Sequence, residues 1–119
     1  MKYRSKQMLY SYIFFNIIGL NEYLGCFYDD IVNRDLELFI ATNDKITPEQ
    51  CVSGCQQLNY LYAGIQYGSE CRCADTFGRH GQASDDDCDH FCTTSERCGG
   101  KDRNSIYKVI SIENVPDKG

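Results

Sequence analysis

The sequence predicts a small disulfide-rich α+β domain, in which an antiparallel sheet packs on one main helix and four disulfides hold the fold together. Three observations predict this class. Eight of the 119 residues are cysteine, and such an even, dense set is typical of a disulfide framework in a small extracellular domain. One segment carries a complete helix-start signal. Another has the pattern of two strands joined by a tight turn.

The first 20 residues have the pattern of a secretory signal peptide. Lys2, Arg4 and Lys6 precede every acidic residue, and a mostly apolar run follows from residue 8 to residue 20. The run is shorter than the roughly 20 apolar residues that a membrane span needs. Asn16 interrupts it, so an uncleaved signal anchor and a buried N-terminal element of a cytosolic protein stay open as alternatives. We expect a secreted or extracellular protein, membrane-anchored if the segment is uncleaved.

The predicted domain occupies residues 23–108, and its first strand is the aromatic-rich run 23–28. A charged segment and a short apolar patch at residues 36–40 follow. The main helix is predicted to begin after Thr47, because a threonine hydroxyl can cap a helix and Pro48 suits the first helical position. Gln50 completes a capping box. We expect this helix to end at Asn59.

A hairpin is predicted after the helix. Residues 62–67 and 70–74 are extended runs, and Gly68-Ser69 between them is the expected turn. Near residue 85, Ser84 is expected to cap a short helical turn whose acidic residues suit a helix N-terminus. Residues 109–119 form a C-terminal tail in which the sequence shows no membrane anchor.

The cysteine spacing predicts which residues pair. Cys51 and Cys55 lie four apart on the helix, and Cys71 and Cys73 lie two apart on a strand, so each pair shares one face. A helix pair lying over a strand pair predicts the bridges Cys51–Cys71 and Cys55–Cys73. The short loop between the last two cysteines favours a local bridge, and the fourth pair follows by elimination: Cys92–Cys98 and Cys26–Cys88. Because eight cysteines allow 105 connectivities, this pairing is a hypothesis.

Metal binding is the alternative use of these residues. Zinc could be held by two sets of four: Cys51, Cys55, Cys71 and Cys73, or Cys88, His90, Cys92 and Cys98. Their C-x3-C and C-x-C spacings are less usual than the C-x2-C of zinc knuckles. The acidic run Asp85-Asp86-Asp87 with Asp89 suggests calcium, but it lacks the alternating spacing of an EF-hand loop. We therefore predict no resident metal and no cofactor.

The order and spacing of the cysteines resemble the WSC domain, an extracellular eight-cysteine module. The matching features are Tyr23-Leu24-Gly25-Cys26-Phe27, Cys51-x3-Cys55, the run from Tyr62 to Cys73, Cys88-x3-Cys92, and Cys98-Gly99-Gly100 leading to Arg103-Asn104-Ser105-Ile106-Tyr107. The resemblance implies a small sheet packed on a helix, the same disulfide pattern and carbohydrate binding. Residues 77–83 look more like the animal, Kremen-like members than the fungal cell-wall sensors. Arg72 stands where the family commonly has an aromatic residue, and Ala74 where it commonly has glycine.

Sugar sites usually pair an aromatic face with amide, carboxylate or guanidinium groups. The sequence has no tryptophan, so tyrosine and phenylalanine must supply the rings, and burial in the core is the alternative role of each ring. The rings considered are Tyr28, Tyr60, Tyr62, Tyr67, Phe77 and Tyr107, of which Tyr67 and Tyr107 are expected to be structural. The predicted ligand-binding residues are Tyr28, Asp29, Asp30, Arg72, Phe77, Arg79, Arg103 and Asn104.

Charge and composition narrow the function. A net charge of −5 argues against nucleic acid, which basic clusters bind. With all cysteines bridged no thiol nucleophile remains, and we predict no catalytic residue. The predicted function is non-catalytic binding of a polysaccharide or glycoprotein glycan at the cell surface or outside the cell. The alternatives are a receptor ectodomain fragment that binds a protein partner and an accessory domain of a glycan-modifying enzyme.

Overall fold

The computed structural model describes residues 21–110. The predicted signal peptide, residues 1–20, lies outside the described residues, as does most of the predicted tail, from residue 111 onwards. Whether the first segment is a signal peptide therefore stays a prediction. Between residues 21 and 110, no helix has both the length and the apolar character that crossing a membrane requires.

In the described part of the chain, five antiparallel strands form one sheet. In chain order they are β1 (Asn21–Tyr28), β2 (Leu38–Thr42), β3 (Tyr62–Gln66), β4 (Glu70–Ala74) and β5 (Arg103–Val109). Their order across the sheet is β1-β5-β3-β4-β2, so the C-terminal strand lies between the first strand and the hairpin. Within residues 21–110, one α-helix, α1 (Pro48–Gln57), links β2 to β3, and a 3-10 helix (Asp85–Asp87) precedes β5. The predicted fold class is confirmed.

The start of α1 is the predicted one. The Thr47 side chain accepts a hydrogen bond from the Gln50 backbone N–H, and the Gln50 side chain accepts one from the Thr47 N–H, each at 3.1 Å. The helix ends two residues before the expected Asn59. Asn59 has a φ of 69°, and the Tyr60 N–H closes the end by donating to the Cys55 carbonyl oxygen at 2.9 Å.

The predicted hairpin is confirmed, but its turn lies one residue earlier than expected. Tyr67 and Gly68 have φ values of 59° and 72°, and the Ser69 N–H donates to the Gln66 carbonyl oxygen at 3.1 Å. Two successive positive φ values match the twist of the flanking strands. Tyr67 is therefore a half-exposed turn residue, whereas Tyr107 is buried in the core as expected.

One face of the sheet packs on α1. Buried Cys51, Val52 and Cys55 of the helix contact an apolar cluster that includes Ala63 and Ile65 of β3. Tyr107 is part of this cluster, and the ring of Tyr23 packs against it. Burial raises the pKa of both hydroxyls, and a hydrogen bond to Asp85 adds to the rise for Tyr23. Both phenols therefore stay protonated donors, to Asp85 at 2.7 Å and to the Arg97 carbonyl oxygen at 2.6 Å.

The structure forms the four predicted disulfides. Cys51–Cys71 and Cys55–Cys73 tie the helix to β4, with Cα–Cα distances of 5.6 and 5.5 Å. The other two bridges join β1 to the end of the 3-10 helix and close a short local loop: Cys26–Cys88 and Cys92–Cys98. The two helix–strand bridges sit side by side because both cysteine pairs follow the side-chain period of their own element.

Two segments cover the opposite face of the sheet: the one before β2, which carries Leu36, and the one after β4, which carries Phe77. Leu36, fully buried, packs there with Phe27, Ala74 and Ile106. Gly64 leaves the space that Leu36 fills, since a Cβ at Gly64 would come within 2.8 Å of the Leu36 Cδ2. The segments that carry Leu36 and Phe77 hold four of the eight predicted ligand-binding side chains, and the other four lie on strands.

Candidate functional site

A cleft opens where the end of β4 meets the start of β2 and the link between α1 and β3. It has a volume of about 360 Å³. Its lining comes from three separate segments: Asp35, Glu37, Leu38, Tyr60, Cys73, Ala74, Asp75 and Thr76. A concave site lined by a ring and a few polar groups is the usual form of a small-ligand site.

Three carboxylates surround the cleft, and each is positioned differently. Asp35 is 1% exposed, and its two oxygens accept the backbone N–H groups of Gly78 and Arg79 at 2.8 and 3.1 Å. Asp75 accepts the Leu61 N–H at 3.1 Å. The Glu37 side chain is 74% exposed and contacts the Arg79 guanidinium at 3.2 Å. Asp35 thus joins two loops, while Glu37 presents its carboxylate to solvent.

Tyr60 supplies the aromatic ring of the cleft. It follows α1 directly, and its backbone N–H caps the helix end at Cys55. The ring is half-buried and packs against the core cluster beneath the helix. Because Cys55 is bonded to Cys73, which also lines the cleft, the same disulfide holds the helix end and the end of β4 together. The position of this ring is therefore tied to the framework.

Two predicted ligand-binding residues belong to the loop that borders the cleft. The Arg79 Nη1 donates to the Asn33 Oδ1 at 2.8 Å, and its Nη2 meets Glu37. Phe77 packs edge-on against Phe27, with ring centres 5.0 Å apart, and lies 4.6 Å from the Tyr62 ring. Phe77 is thus a packing residue here, whereas Arg79 lies at the rim of the cleft.

Two other predicted ligand-binding residues, Asp29 and Asn104, are joined through Gln66 in a buried polar network. The Gln66 Nε2 donates to the Asp29 Oδ2 at 2.8 Å and to the Asn104 Oδ1 at 3.2 Å. Asp29 also binds the Arg34 guanidinium at 2.7 Å and the Asp35 N–H at 2.8 Å. Burial alone would raise the pKa of the Asp29 carboxyl, but these hydrogen bonds outweigh it and hold the pKa below its usual value.

Two side chains of this network, and Arg72 on β4, have buried polar atoms without a protein partner among the described residues. Across the described residues, the Gln66 Oε1, the Asn104 Nδ2 and the Arg72 Nε are buried side-chain atoms that make no hydrogen bond. Buried groups of this kind usually bind ordered water. Asp29, Arg72 and Asn104 are each 9% exposed or less, so in this conformation they brace the sheet from within.

Arg72, which stands where the resemblance leads one to expect an aromatic residue, lies beside the ring of Phe39. Its guanidinium lies 5.1 Å from the centre of the Phe39 ring, and Phe39 pairs with Arg72 across β2 and β4. An aromatic ring therefore stands beside this position on the neighbouring strand. Ala74, which replaces the expected glycine, has its methyl group in the cluster around Leu36.

Of the remaining three predicted residues, Tyr28 ends β1, Asp30 follows it, and Arg103 begins β5 opposite Tyr28. The Arg103 guanidinium stacks 4.2 Å from the centre of the Tyr28 ring and donates to the Asp87 Oδ2 at 2.9 Å. Asp30, exposed, accepts the N–H groups of Val32 and Asn33 at 2.8 and 3.3 Å, and these bonds lower its pKa. Among the residues described, the eight predicted side chains meet in pairs and small networks, and their role in ligand binding stays a prediction.

No pattern in the sequence predicts the carboxylates of the cleft. Asp35, Glu37 and Asp75 carry no spacing signal, because they come from segments almost 40 residues apart. Tyr60 is one of the candidate rings in the sequence, but it is not among the predicted ligand-binding residues. The usable signal was the Cys55–Cys73 bridge, which predicts that the residues after the helix lie beside the residues after Cys73.

The cysteines proposed as zinc ligands have another use in the structure. The sulfur atoms of Cys51, Cys55 and Cys71 lie within 4.8 Å of one another. They are this close because two disulfides stand side by side, and all eight cysteines of the chain are bonded in pairs. Sulfur in a disulfide offers no thiolate, which is the form that binds zinc.

Comparison with known proteins gives one family match. The family model for the WSC domain matches residues 23–100. This range contains all eight cysteines, three complete strands, most of β1 and every residue that lines the cleft.

Several curated proteins are similar over most of the chain. A WSC domain-containing protein of Arthroderma benhamiae is 34% identical over 101 residues, which are 80% of this chain and 11% of that protein. Xylosyltransferase oxt of Drosophila melanogaster is 36% identical over 75% of this chain and 11% of its own length. Kremen protein 2 of Mus musculus is 34% identical over 73% of this chain and 20% of its own length. Animal and fungal relatives thus match at similar identity, and the chain spans a fifth or less of each.

Proposed function

The chain belongs to the WSC domain family, and from this premise we propose that it is a non-catalytic module that binds carbohydrate outside the cell. The cleft beside Tyr60 is the observation that carries the proposal. Its ring can cover the C–H face of a sugar, and the exposed carboxylates of Glu37 and Asp75 and the Thr76 hydroxyl can accept hydrogen bonds from sugar hydroxyls. The disulfide framework supports an extracellular location, since such bonds persist in oxidising compartments.

The side chains around the cleft support binding without catalysis. Both oxygens of Asp35 already accept backbone hydrogen bonds, so this carboxylate acts as a brace. His80 is engaged as well, with its Nε2 2.7 Å from the Asn33 carbonyl oxygen. The cysteines offer no nucleophile, because each is bonded. The groups that remain accessible are acceptors suited to recognition.

Replacing Tyr60 by leucine tests the site. Tyr60→Leu keeps apolar volume but removes the ring face, so we expect binding to fall about fivefold, as the loss of roughly 1 kcal/mol of stacking implies. The oxidised protein is first screened on an array that includes β-1,3-glucan, xylan, cellulose and chitin oligomers, and affinity for the best binder is then measured by calorimetry.

The matched control is Phe91→Leu, which removes an exposed ring elsewhere on the molecule. It should leave the affinity unchanged, and both variants should keep the melting temperature within a few degrees. Equal losses in the two variants, or undiminished binding by Tyr60→Leu, would remove the cleft from the proposal. An array without any binder would contradict carbohydrate binding itself.

A protein partner is the second candidate, and one observation favours it. Ile31 and Val32 are 72% and 90% exposed, at the tip of a loop whose base Asp29 and Asp30 hold by hydrogen bonds. An ordered loop that presents apolar side chains to solvent is typical of a protein-binding surface. Binding to cells that persists after enzymatic removal of glycans, and that Ile31→Ser with Val32→Ser abolishes, would favour this candidate.

The third candidate is an accessory domain of a glycan-modifying enzyme. It rests on the similarity to a protein named as a xylosyltransferase, of which the chain covers 11%. Such a domain would still bind carbohydrate through its own residues, so the Tyr60 experiment applies to it unchanged. The two roles differ only in what else the complete protein contains.

A further inference from the structure

The hydrogen-bond donors and acceptors that line the cleft indicate which class of carbohydrate it can bind. The polar side chains of the lining are three carboxylates and the hydroxyls of Tyr60 and Thr76. Of the described residues, no lysine, arginine or histidine lines it. Ionised carboxylates only accept hydrogen bonds, and hydroxyls can donate or accept, so the cleft favours a ligand that is rich in donors.

The charge of the cleft is incompletely balanced. Glu37 contacts the Arg79 guanidinium at 3.2 Å, an exposed pair at the rim, and Asp35 is met by backbone N–H groups, which carry no net charge. Asp75 likewise accepts only the Leu61 N–H. Two exposed carboxylates, Glu37 and Asp75, are therefore open to a ligand beside one guanidinium, and the buried Asp35 adds a third negative charge beneath them. The surroundings add to this excess, because residues 21–110 carry 15 acidic and 8 basic side chains, a net charge of −7.

From these observations we propose that the cleft binds an amino sugar with a free, protonated amine, in preference to the N-acetylated sugar and to acidic sugars. This inference rests on the proposed carbohydrate binding and deepens it. An ammonium group brings three donors and a positive charge to the carboxylates, and its hydrogen bonds are about twice as strong as those of a neutral hydroxyl. The Tyr60 ring adds a face that attracts cations.

The proposal excludes two ligand classes on physical grounds. A uronic acid or a sulfated sugar would place its charge against the carboxylates of the cleft, and like charges at such distances repel. An N-acetylated amine has lost its charge and keeps a single N–H donor. The cleft should therefore distinguish two oligosaccharides that differ only in acetylation.

Glucosamine trimer and its N-acetylated counterpart are the matched probes. We expect the full oxidised chain to bind the free-amine trimer about tenfold more tightly at low salt, since a charged hydrogen bond contributes more than a neutral one. The preference should shrink at high salt, because exposed charges are screened. Calorimetry at both salt concentrations measures each affinity, and a galacturonic acid trimer should not bind.

Variants that remove one negative charge test whether the carboxylates of the cleft cause the preference for the free amine. Glu37→Gln and Asp75→Asn keep the shape and one acceptor oxygen while removing the charge, and each should weaken binding of the free-amine trimer several-fold with a much smaller effect on the N-acetylated trimer. Asp86→Asn is the control, because it removes the same charge from a side chain that is 93% exposed on the 3-10 helix. It should change neither affinity nor melting temperature.

Several outcomes would overturn the inference. Equal affinity for the two trimers, a preference for the acetylated one, or an equal loss in Asp86→Asn would do so. Spermine binding as tight as the trimer, with the same dependence on Glu37, would indicate a site for any cation and would also overturn it. If a neutral glucan binds in a Tyr60-dependent manner while neither trimer binds, the inference fails and the proposed function stands.

Discussion

At the scale of single residues, Asp29 shows how a predicted contact residue can be structural. Its carboxylate joins the Arg34 guanidinium, the Asp35 N–H and the Gln66 amide. These bonds hold the loop of residues 29–36 against the sheet and thereby set the position of Asp35 in the cleft. A buried carboxylate in such a network is ionised because its hydrogen bonds exceed the cost of burial.

The lowered pKa of Asp29 predicts a dependence of stability on pH. Because the folded pKa lies below the unfolded value of about 4, the ionised group stabilises the fold fully above that value. Its contribution is lost as the pH falls through the folded pKa. Asp29→Asn should therefore lower the free energy of unfolding by about 2–3 kcal/mol at pH 7, and the gap from the wild type should narrow at pH 3.

Denaturant unfolding at the two pH values measures this gap. Asp86→Asn serves as the control, because its exposed side chain should affect stability by less than about 0.5 kcal/mol at either pH. A gap between the wild type and Asp29→Asn that is the same at pH 3 and pH 7 would contradict the assigned role of the carboxylate.

At the scale of elements, α1 is short and depends on its ends. A helix of 10 residues is marginal by itself in water, so the capping box and the two cysteines that tie it to β4 carry much of its stability. Its last turn also positions Tyr60. Damage to the start of the helix should therefore lower stability with little effect on the cleft at its other end.

Thr47→Ala tests this element. Removing the cap leaves the Gln50 N–H without its side-chain partner, and we expect the free energy of unfolding to fall by about 1 kcal/mol. Circular dichroism during denaturant unfolding measures it. Thr93→Ala, at an exposed loop position, should stay within about 0.5 kcal/mol. Equal effects of the two substitutions would show that the cap contributes nothing specific.

At the scale of the whole molecule, the disulfides replace a larger core. The described chain has 90 residues, and cysteines make up a large part of its buried apolar cluster. The bridges differ widely in the length of chain they close. Cys26–Cys88 spans 62 positions and Cys92–Cys98 spans 6, so the entropy they remove from the unfolded chain differs as well.

Loop length predicts a ranking of disulfide removals. In the chain-entropy description, replacing Cys26 and Cys88 by alanine should cost about 4 kcal/mol, and replacing Cys92 and Cys98 about 2 kcal/mol. The bridges Cys51–Cys71 and Cys55–Cys73 close loops of nearly equal length, so their removals should match each other. Denaturant midpoints give the ranking, and a greater loss from the Cys92–Cys98 removal than from the Cys26–Cys88 removal would contradict it.

Local patterns predicted the parts of the fold whose causes are local. Thr47, Pro48 and Gln50 act within one helical turn, and the two cysteine pairs follow the period of a helix and of a strand. The errors are local as well. Asn59 and Tyr67 adopt positive φ values, which are expected mainly at glycine. The helix therefore ends two residues before its predicted end, and the turn lies one residue before its predicted position.

The sequence by itself thus determined the fold class, the pairing of the cysteines and the family. Spacing is sufficient for these, because periodicity and chain connectivity restrict which side chains share a face. Only the tertiary structure decided where a ligand can bind. The cleft needs residues 35–38, Tyr60 and residues 73–76 at one place, and strand register and loop paths bring them together. The same packing buries Asp29, Arg72 and Asn104, because side chains on a covered sheet face lose contact with solvent whatever their polarity.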